Sequence, residues 1–216
     1  MDVVDRLDLE RRQLNVLSHP FYVRWTRGEL SSEELAGYAA QYRYLVVALA
    51  DVSALAAGTA SGADADLLEL HANEEAAHIA MWDQFVQATG ATADAATDET
   101  FECASSWTAP ATIADQLATM YVIEASQPAI SATKLLGLAE HYGHPVDSPA
   151  SEYFREHAVA DIEHSRQARE LIRRVVDADD RDTHERMLSA ARAALRGNWH
   201  MLDGVDAATA SHAALS

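Results

Sequence analysis

Lysine is almost missing from this 216-residue chain, where Lys134 is the single one. Cysteine is as scarce. Cys103 stands alone, which excludes an internal disulfide and a cysteine-built structural zinc site and fits a cytoplasmic location. It reads as a small, semi-buried residue in an irregular connection spanning 90–109. Aromatic residues make up only 7%, and no stretch alternates in the manner of a strand. No apolar run approaches the ~18 residues that a membrane-spanning helix needs. The opening MDVVDRLDLERRQ is charged, so it reads as neither signal nor transit peptide. Basic side chains are few: 16 Lys and Arg face 34 Asp and Glu, a net charge of -18. A surface this acidic repels phosphate backbones and anionic lipid, which excludes nucleic acid and membrane as partners.

What is present is alanine and leucine at helical spacing. Hydrophobic residues reach 49%, a composition suited to helix bundles. The length predicts one domain over 1–216. A first helix is expected over 3–17. Ser31 and Glu34 form a capping-box pattern that opens a long helix to about residue 58. Asp64 or Asp66 caps the next, which stops at Gly90. A fifth helix starts near Pro110, kinks at Pro128, where proline removes a backbone bond, and reaches 141–143. Residues 144–149 form a turn, a helix follows to about Val176, and a last helix ends near Leu202. The fold expected is all-α, with seven or so helices.

Chemistry-bearing residues fall into phase on these helices. His157, Asp161 and His164 lie in YFREHAVADIEHS. At about 100° per residue, His157 to Asp161 is a step of roughly 40°, and His157 to His164 falls roughly 20° short of two turns. His71 and His78 repeat that spacing, with Glu74 and Glu75 between them; Glu75-x2-His78 has the spacing of di-iron helix proteins. One of the two glutamates is expected to be solvated. Glu124 interrupts the apolar segment MYVIEASQPAISATK, where a buried carboxylate needs a cation or a hydrogen-bond partner. Nitrogen and oxygen donors on three helices suit two metal ions better than one, and iron, manganese or zinc by type.

These stretches resemble the heme-oxygenase-like di-iron oxidases and oxygenases of the TenA/PqqC superfamily. The resemblance rests on HPFYVRWTRGELSSEELAGYAAQYRYLV (19–46), MYVIEASQPAISATKLLGLAEHYG (120–143), YFREHAVADIEHS (153–165) and WHMLDGV (199–205). It implies a heme-oxygenase-like bundle and an O2-activating site of two iron ions, with manganese as a substitute. His78, Glu124, His157, Asp161 and His164 match family ligands. The family has Glu where this chain has His71, so either His71 ligates or Glu74 or Glu75 takes over. One branch, typified by a chlamydial death-domain-associating protein, is linked to p-aminobenzoate formation. Lys134 stands at that branch's lysine, and Tyr22 and Tyr38 match its tyrosines, which implies catalytic roles for these three. Ile123 departs from that branch, which has Tyr there.

Tyr22, Tyr38, Tyr42, Tyr44 and Tyr121 are all expected to flank the site. The partner expected is a small organic substrate, and a homodimer is allowed. Two other readings remain: a TenA-like hydrolase of thiamin-related compounds using Cys103, and a non-catalytic helical protein that binds a small ligand.

Overall fold

In the computed structural model, residues 2–92 and 95–213 are described, with backbone alone for 209–213. Nine α-helices and two short 3-10 turns appear among them, and no strand. They are α1 (Val3–Gln13), α2 (Pro20–Thr26), α3 (Ser32–Thr59), α4 (Ala63–Thr89), α5 (Asp98–Thr108), α6 (Ile113–Glu124), α7 (Gln127–Glu140), α8 (Glu152–Val175) and α9 (Arg181–Ala213). Helix α3 runs along α4, α7 along α8, and α9 closes against α5 and α6. Their shared core holds Trp25, Trp82, Trp107, Phe21, Phe85 and Phe154.

Local chemistry sets several boundaries. Ser31 and Glu34 form the reciprocal cap that opens α3. Gly90 ends α4 in the left-handed conformation, at φ 70°. The expected first helix stops at Gln13 and is followed by the separate α2, which starts at Pro20 behind a His19 side-chain cap. The last helix continues past Leu202 to Ala213.

The expected connection over 90–109 is wrong in its second half, which forms α5. Thr97 caps it by accepting from the Thr100 backbone, and Thr100, Cys103 and Trp107 turn one face into the core. The helical period was hidden by the Thr, Ser and Asp around it. The single fifth helix is also two helices. Pro128 sits in the first turn of α7, and the break falls earlier, at Ala125–Ser126. There Arg11 donates to the Ala125 carbonyl (3.0 Å), satisfying an acceptor at the break.

Candidate metal centre

Three helices bring seven donors together. Helix α4 carries His71, Glu75 and His78, α8 carries His157, Asp161 and His164, and Glu124 is the last residue of α6. Glu75, Glu124, His157 and Asp161 are sealed from solvent at 0–1% exposure. The His71 and His164 side chains keep 13% and 12%. Donor atoms of His71, Glu75 and His164 lie within 4.8 Å of one another, and so do those of Glu75, His78 and His157. The two groups share Glu75.

The contacts inside are close but do not satisfy their members. His71 Nε2 is 3.0 Å from Glu124 Oε1, and His78 Nδ1 is 3.2 Å from Glu75 Oε1. Yet His71 Nε2, His78 Nδ1, His157 Nε2, both oxygens of Glu75 and of Glu124, and Asp161 Oδ2 have no hydrogen-bond partner. Their lone pairs converge on shared space rather than on each other. Two further ring nitrogens are held: His157 Nδ1 meets the Tyr153 carbonyl at 2.7 Å, and His164 Nδ1 meets Asp161 Oδ1 at 3.3 Å. A carbonyl or carboxylate behind an imidazole orients it for coordination through the other nitrogen.

Burial raises the Glu124 carboxyl far above its ordinary value, and the charges of Glu75 and Asp161 add to that. Asp161 is pushed up to about 6, chiefly by burial. Burial also presses His157 down to about 4. For Glu75, burial acts upward, but the surrounding imidazoles outweigh it and lower the value. Three carboxylates this close repel one another's charge. Divalent cations remove that conflict and accept the unpartnered donors, so the residues fit a metal centre. The all-nitrogen-and-oxygen donor set is one that iron and manganese take.

Beside the donors lies a second sealed region. Lys134 on α7 is completely buried, and its Nζ has no hydrogen-bond partner. The amine faces the rings of Tyr42, Tyr38 and Phe154 at 4.6, 5.1 and 5.1 Å, with Trp82 and Tyr22 at 5.4 and 5.8 Å. Burial alone drops its pKa well below 10.5. The Tyr22 and Tyr38 hydroxyls meet at 3.2 Å, and burial raises both phenols. On a straight helix Lys134 would sit roughly 80° from Glu124. The break between α6 and α7 turns it inward instead.

Tyr153 joins the two regions. It stacks on His157 at 3.9 Å and meets the edge of Trp82 at 4.8 Å. Sequence reasoning passed over Trp82, Tyr153 and Phe154. A signal was available for two of them: Trp82 follows His78 by four residues and Tyr153 precedes His157 by four, so each shares a ligand face.

Several expectations need correction. Tyr44 faces outward at 38% exposure. Tyr121 turns away from the cage, donating to Asp8 (2.8 Å) and accepting from Arg169. Cys103 is fully buried within α5, and burial raises its thiol; such a thiol is a poor nucleophile, which removes the residue on which a TenA-like hydrolysis was to rest. Of the two glutamates, Glu75 is inside and Glu74 is the exposed one. Glu74 nevertheless borders an open cleft of about 240 Å³ between α4 and α8, with His78, His164 and Glu156 also on its walls.

Known proteins share this architecture. A solved structure from Shewanella denitrificans, described as a domain of unknown function with a heme oxygenase-like fold, superposes with a TM-score of 0.77, covering 93% of this chain and 89% of that one at 16% identity. A TenA homologue from Pseudomonas syringae pv. tomato gives 0.81, with 94% and 92% covered at 15% identity. These likenesses show the fold, an all-α heme-oxygenase-like bundle. In sequence, the chain is 30% identical to a Chlamydia muridarum protein named 4-aminobenzoate synthase, covering 98% of this chain and 94% of the relative. A Nitrosomonas europaea protein of the same name is 32% identical over 88% of this chain and 85% of its own length. The model of one family matches residues 36–199, a span that contains all three helices from which the donors project. By that match the chain belongs to the iron-containing redox enzymes.

Proposed function

We propose that this iron enzyme is an O2-dependent non-haem oxidase or oxygenase with two iron ions, held by His71, Glu75, His78, Glu124, His157, Asp161 and His164. Glu75 belongs to both donor groups, so its carboxylate would be available to either ion. The observation that carries the reading is the set of buried donor atoms on six of these residues that lack any hydrogen-bond partner. Manganese suits the same donors. Bound iron would supply the electrons that reduce O2 and the oxidising power that follows.

The chain's own residues set up the rest. Burial lowers the Lys134 pKa well below its ordinary value and so favours the neutral amine, whose lone pair can react or carry a proton. The paired Tyr22 and Tyr38 hydroxyls stand over the same space. Tyr42, Trp82 and Phe154 keep water from the amine. An amine enclosed by phenol rings supports a p-aminobenzoate-type product, in line with the names of the relatives. Lys134, Tyr22 and Tyr38 are the catalytic residues of this proposal, and a small organic molecule is its substrate class. The acidic surface argues against nucleic-acid and membrane partners; the cytoplasm is the proposed location, with a homodimer compatible.

The test is iron-loaded protein supplied with O2, a reductant and small aromatic precursors as substrate, followed by oxygen uptake and by mass spectrometry for 4-aminobenzoate. Wild type is expected to consume O2 and form the aromatic amine. Lys134→Arg puts a guanidinium that stays protonated where an amine able to lose its proton stood, so it is expected to keep its iron and lose turnover. Full turnover in that variant removes Lys134 from the mechanism, and absence of O2 uptake in wild type removes the oxidase reading.

A further inference from the structure

Adjacent glutamates on α4 take opposite courses. Glu75 points into the donor cluster, whereas the Glu74 side chain keeps 45% of its exposure on the cleft between α4 and α8. Glu74 is not idle there. Its Oε2 lies 3.1 Å from Nε2 of His164. His164 belongs, with His71 and Glu75, to one of the two donor groups. His157 has its Nδ1 held by a backbone carbonyl and its Nε2 left without a partner. His164 likewise has its Nδ1 held, by Asp161, so its Nε2 faces the same task. Two other imidazole–carboxylate pairs in the cluster show the same separation: 3.0 Å for His71 with Glu124 and 3.2 Å for His78 with Glu75. Those atoms lack hydrogen-bond partners. Glu74 with His164 is a third imidazole–carboxylate pair at this separation, on the solvent side, at the cleft.

Charge points the same way. The sealed carboxylates are Glu75, Glu124 and Asp161, three negative charges against the four positive charges of two divalent ions. The imidazoles add none when they coordinate. One further carboxylate balances the centre. The neighbouring acid on the cleft, Glu156, is on its opposite wall and has no comparable contact with an imidazole.

We propose that Glu74 is an additional metal ligand: it coordinates, from the solvent side, the ion held by His164 Nε2. This rests on the metal-centre reading above. It makes the ion nearer the cleft the more accessible of the two, with one ligand that can swing away into water to admit a small reactant.

Mn(II) alone is the probe. Its binding to metal-free protein is measured by calorimetry for wild type, Glu74→Ala and Glu156→Ala, and the Mn-loaded wild type is crystallised for anomalous diffraction. Circular dichroism verifies that each variant is folded. Two Mn(II) are expected in wild type. Glu74→Ala is expected to weaken one of them by ~10-fold or more, in the range seen on losing groups that set a metal site, and Glu156→Ala to leave both unchanged. In the crystal a Glu74 oxygen is expected about 2.0–2.6 Å from one ion. Unchanged affinity in Glu74→Ala, equal weakening in Glu156→Ala, or Glu74 found hydrogen-bonded to His164 without touching the ion would each overturn the assignment. Failure of the wild type to bind Mn(II) or Fe(II) would instead overturn the metal centre itself, and Glu74's role with it.

Discussion

The donor cluster and the Lys134 cage lie side by side, joined through Tyr153, and both bury ionisable groups that have no hydrogen-bond partner. They differ in what surrounds the charge. The cluster mixes carboxylates with imidazoles and opens at one side, through His78 and His164, toward a cleft. The cage has one amine and only ring faces, with no acid beside it and no exposure. A cation over aromatic faces gains something, but not enough to offset complete burial, and the amine's pKa falls. The cluster is therefore built to receive positive charge, and the cage to keep it out. A third polar region shows what the fold does when a charge is merely structural. Asp8, Tyr121 and Arg169 bond one another, and Arg11 reaches both Asp8 and the Ala125 carbonyl.

The largest effect is expected from breaking the cluster. Asp161→Ala removes an anion between His164 and the other donors, and at least one equivalent of bound metal is expected to be lost, read by elemental analysis after gel filtration. Full wild-type occupancy in that variant would mean that the orphaned donors are not ligands.

A smaller effect sharpens the contrast from the cage side. In the folded chain burial lowers the Lys134 pKa, whereas in the unfolded chain the amine binds a proton up to about pH 10.5. The unfolded state then holds more protons, so this residue makes stability rise with pH until 10.5 is passed. Lys134→Met has no proton to exchange. Metal-free Lys134→Met is expected to be the more stable protein at neutral pH. Its advantage should shrink by about 1.4 kcal/mol per pH unit across the window above the folded-state value and below 10.5. Urea unfolding of both proteins at several pH values measures it. A difference that stays flat with pH would show that the amine remains protonated in the cage.

The smallest effect belongs to the satisfied network. Tyr121→Phe removes one hydroxyl from the Asp8–Arg169 contact, and a loss of about 1–2 kcal/mol in unfolding free energy is expected, with metal content unchanged. Loss of metal in that variant would show that the network governs the donor cluster through α6 and α8.

Helical period explains why much of the cluster could be read from sequence. His71, Glu75 and His78 on one helix, and His157, Asp161 and His164 on another, repeat the same spacing, and the structure brings these faces together with Glu124. Glu124 itself was conspicuous as a carboxylate among Met120, Tyr121, Val122 and Ile123. The cage was harder to see. Its members come from α2, α3, α4, α7 and α8, so their contacts depend on packing between distant segments, and no spacing rule announces that Trp82 and Phe154 enclose Lys134. The inward turn of Lys134 depends on where α6 ends, and proline located the break only to within a few residues. Helix α5 was missed because its buried face is carried by Thr100, Cys103 and Trp107, three residues of different character that no simple apolar pattern joins.

The orphaned donors of α4, α6 and α8 are proposed to hold two metal ions. Anaerobic Fe(II) titration of metal-free wild type, followed by Mössbauer spectroscopy of the 57Fe-loaded protein after oxidation, tests it most directly. The account predicts saturation at two equivalents and the signature of two magnetically coupled ferric ions. Saturation at one equivalent, or two uncoupled iron sites, would contradict it.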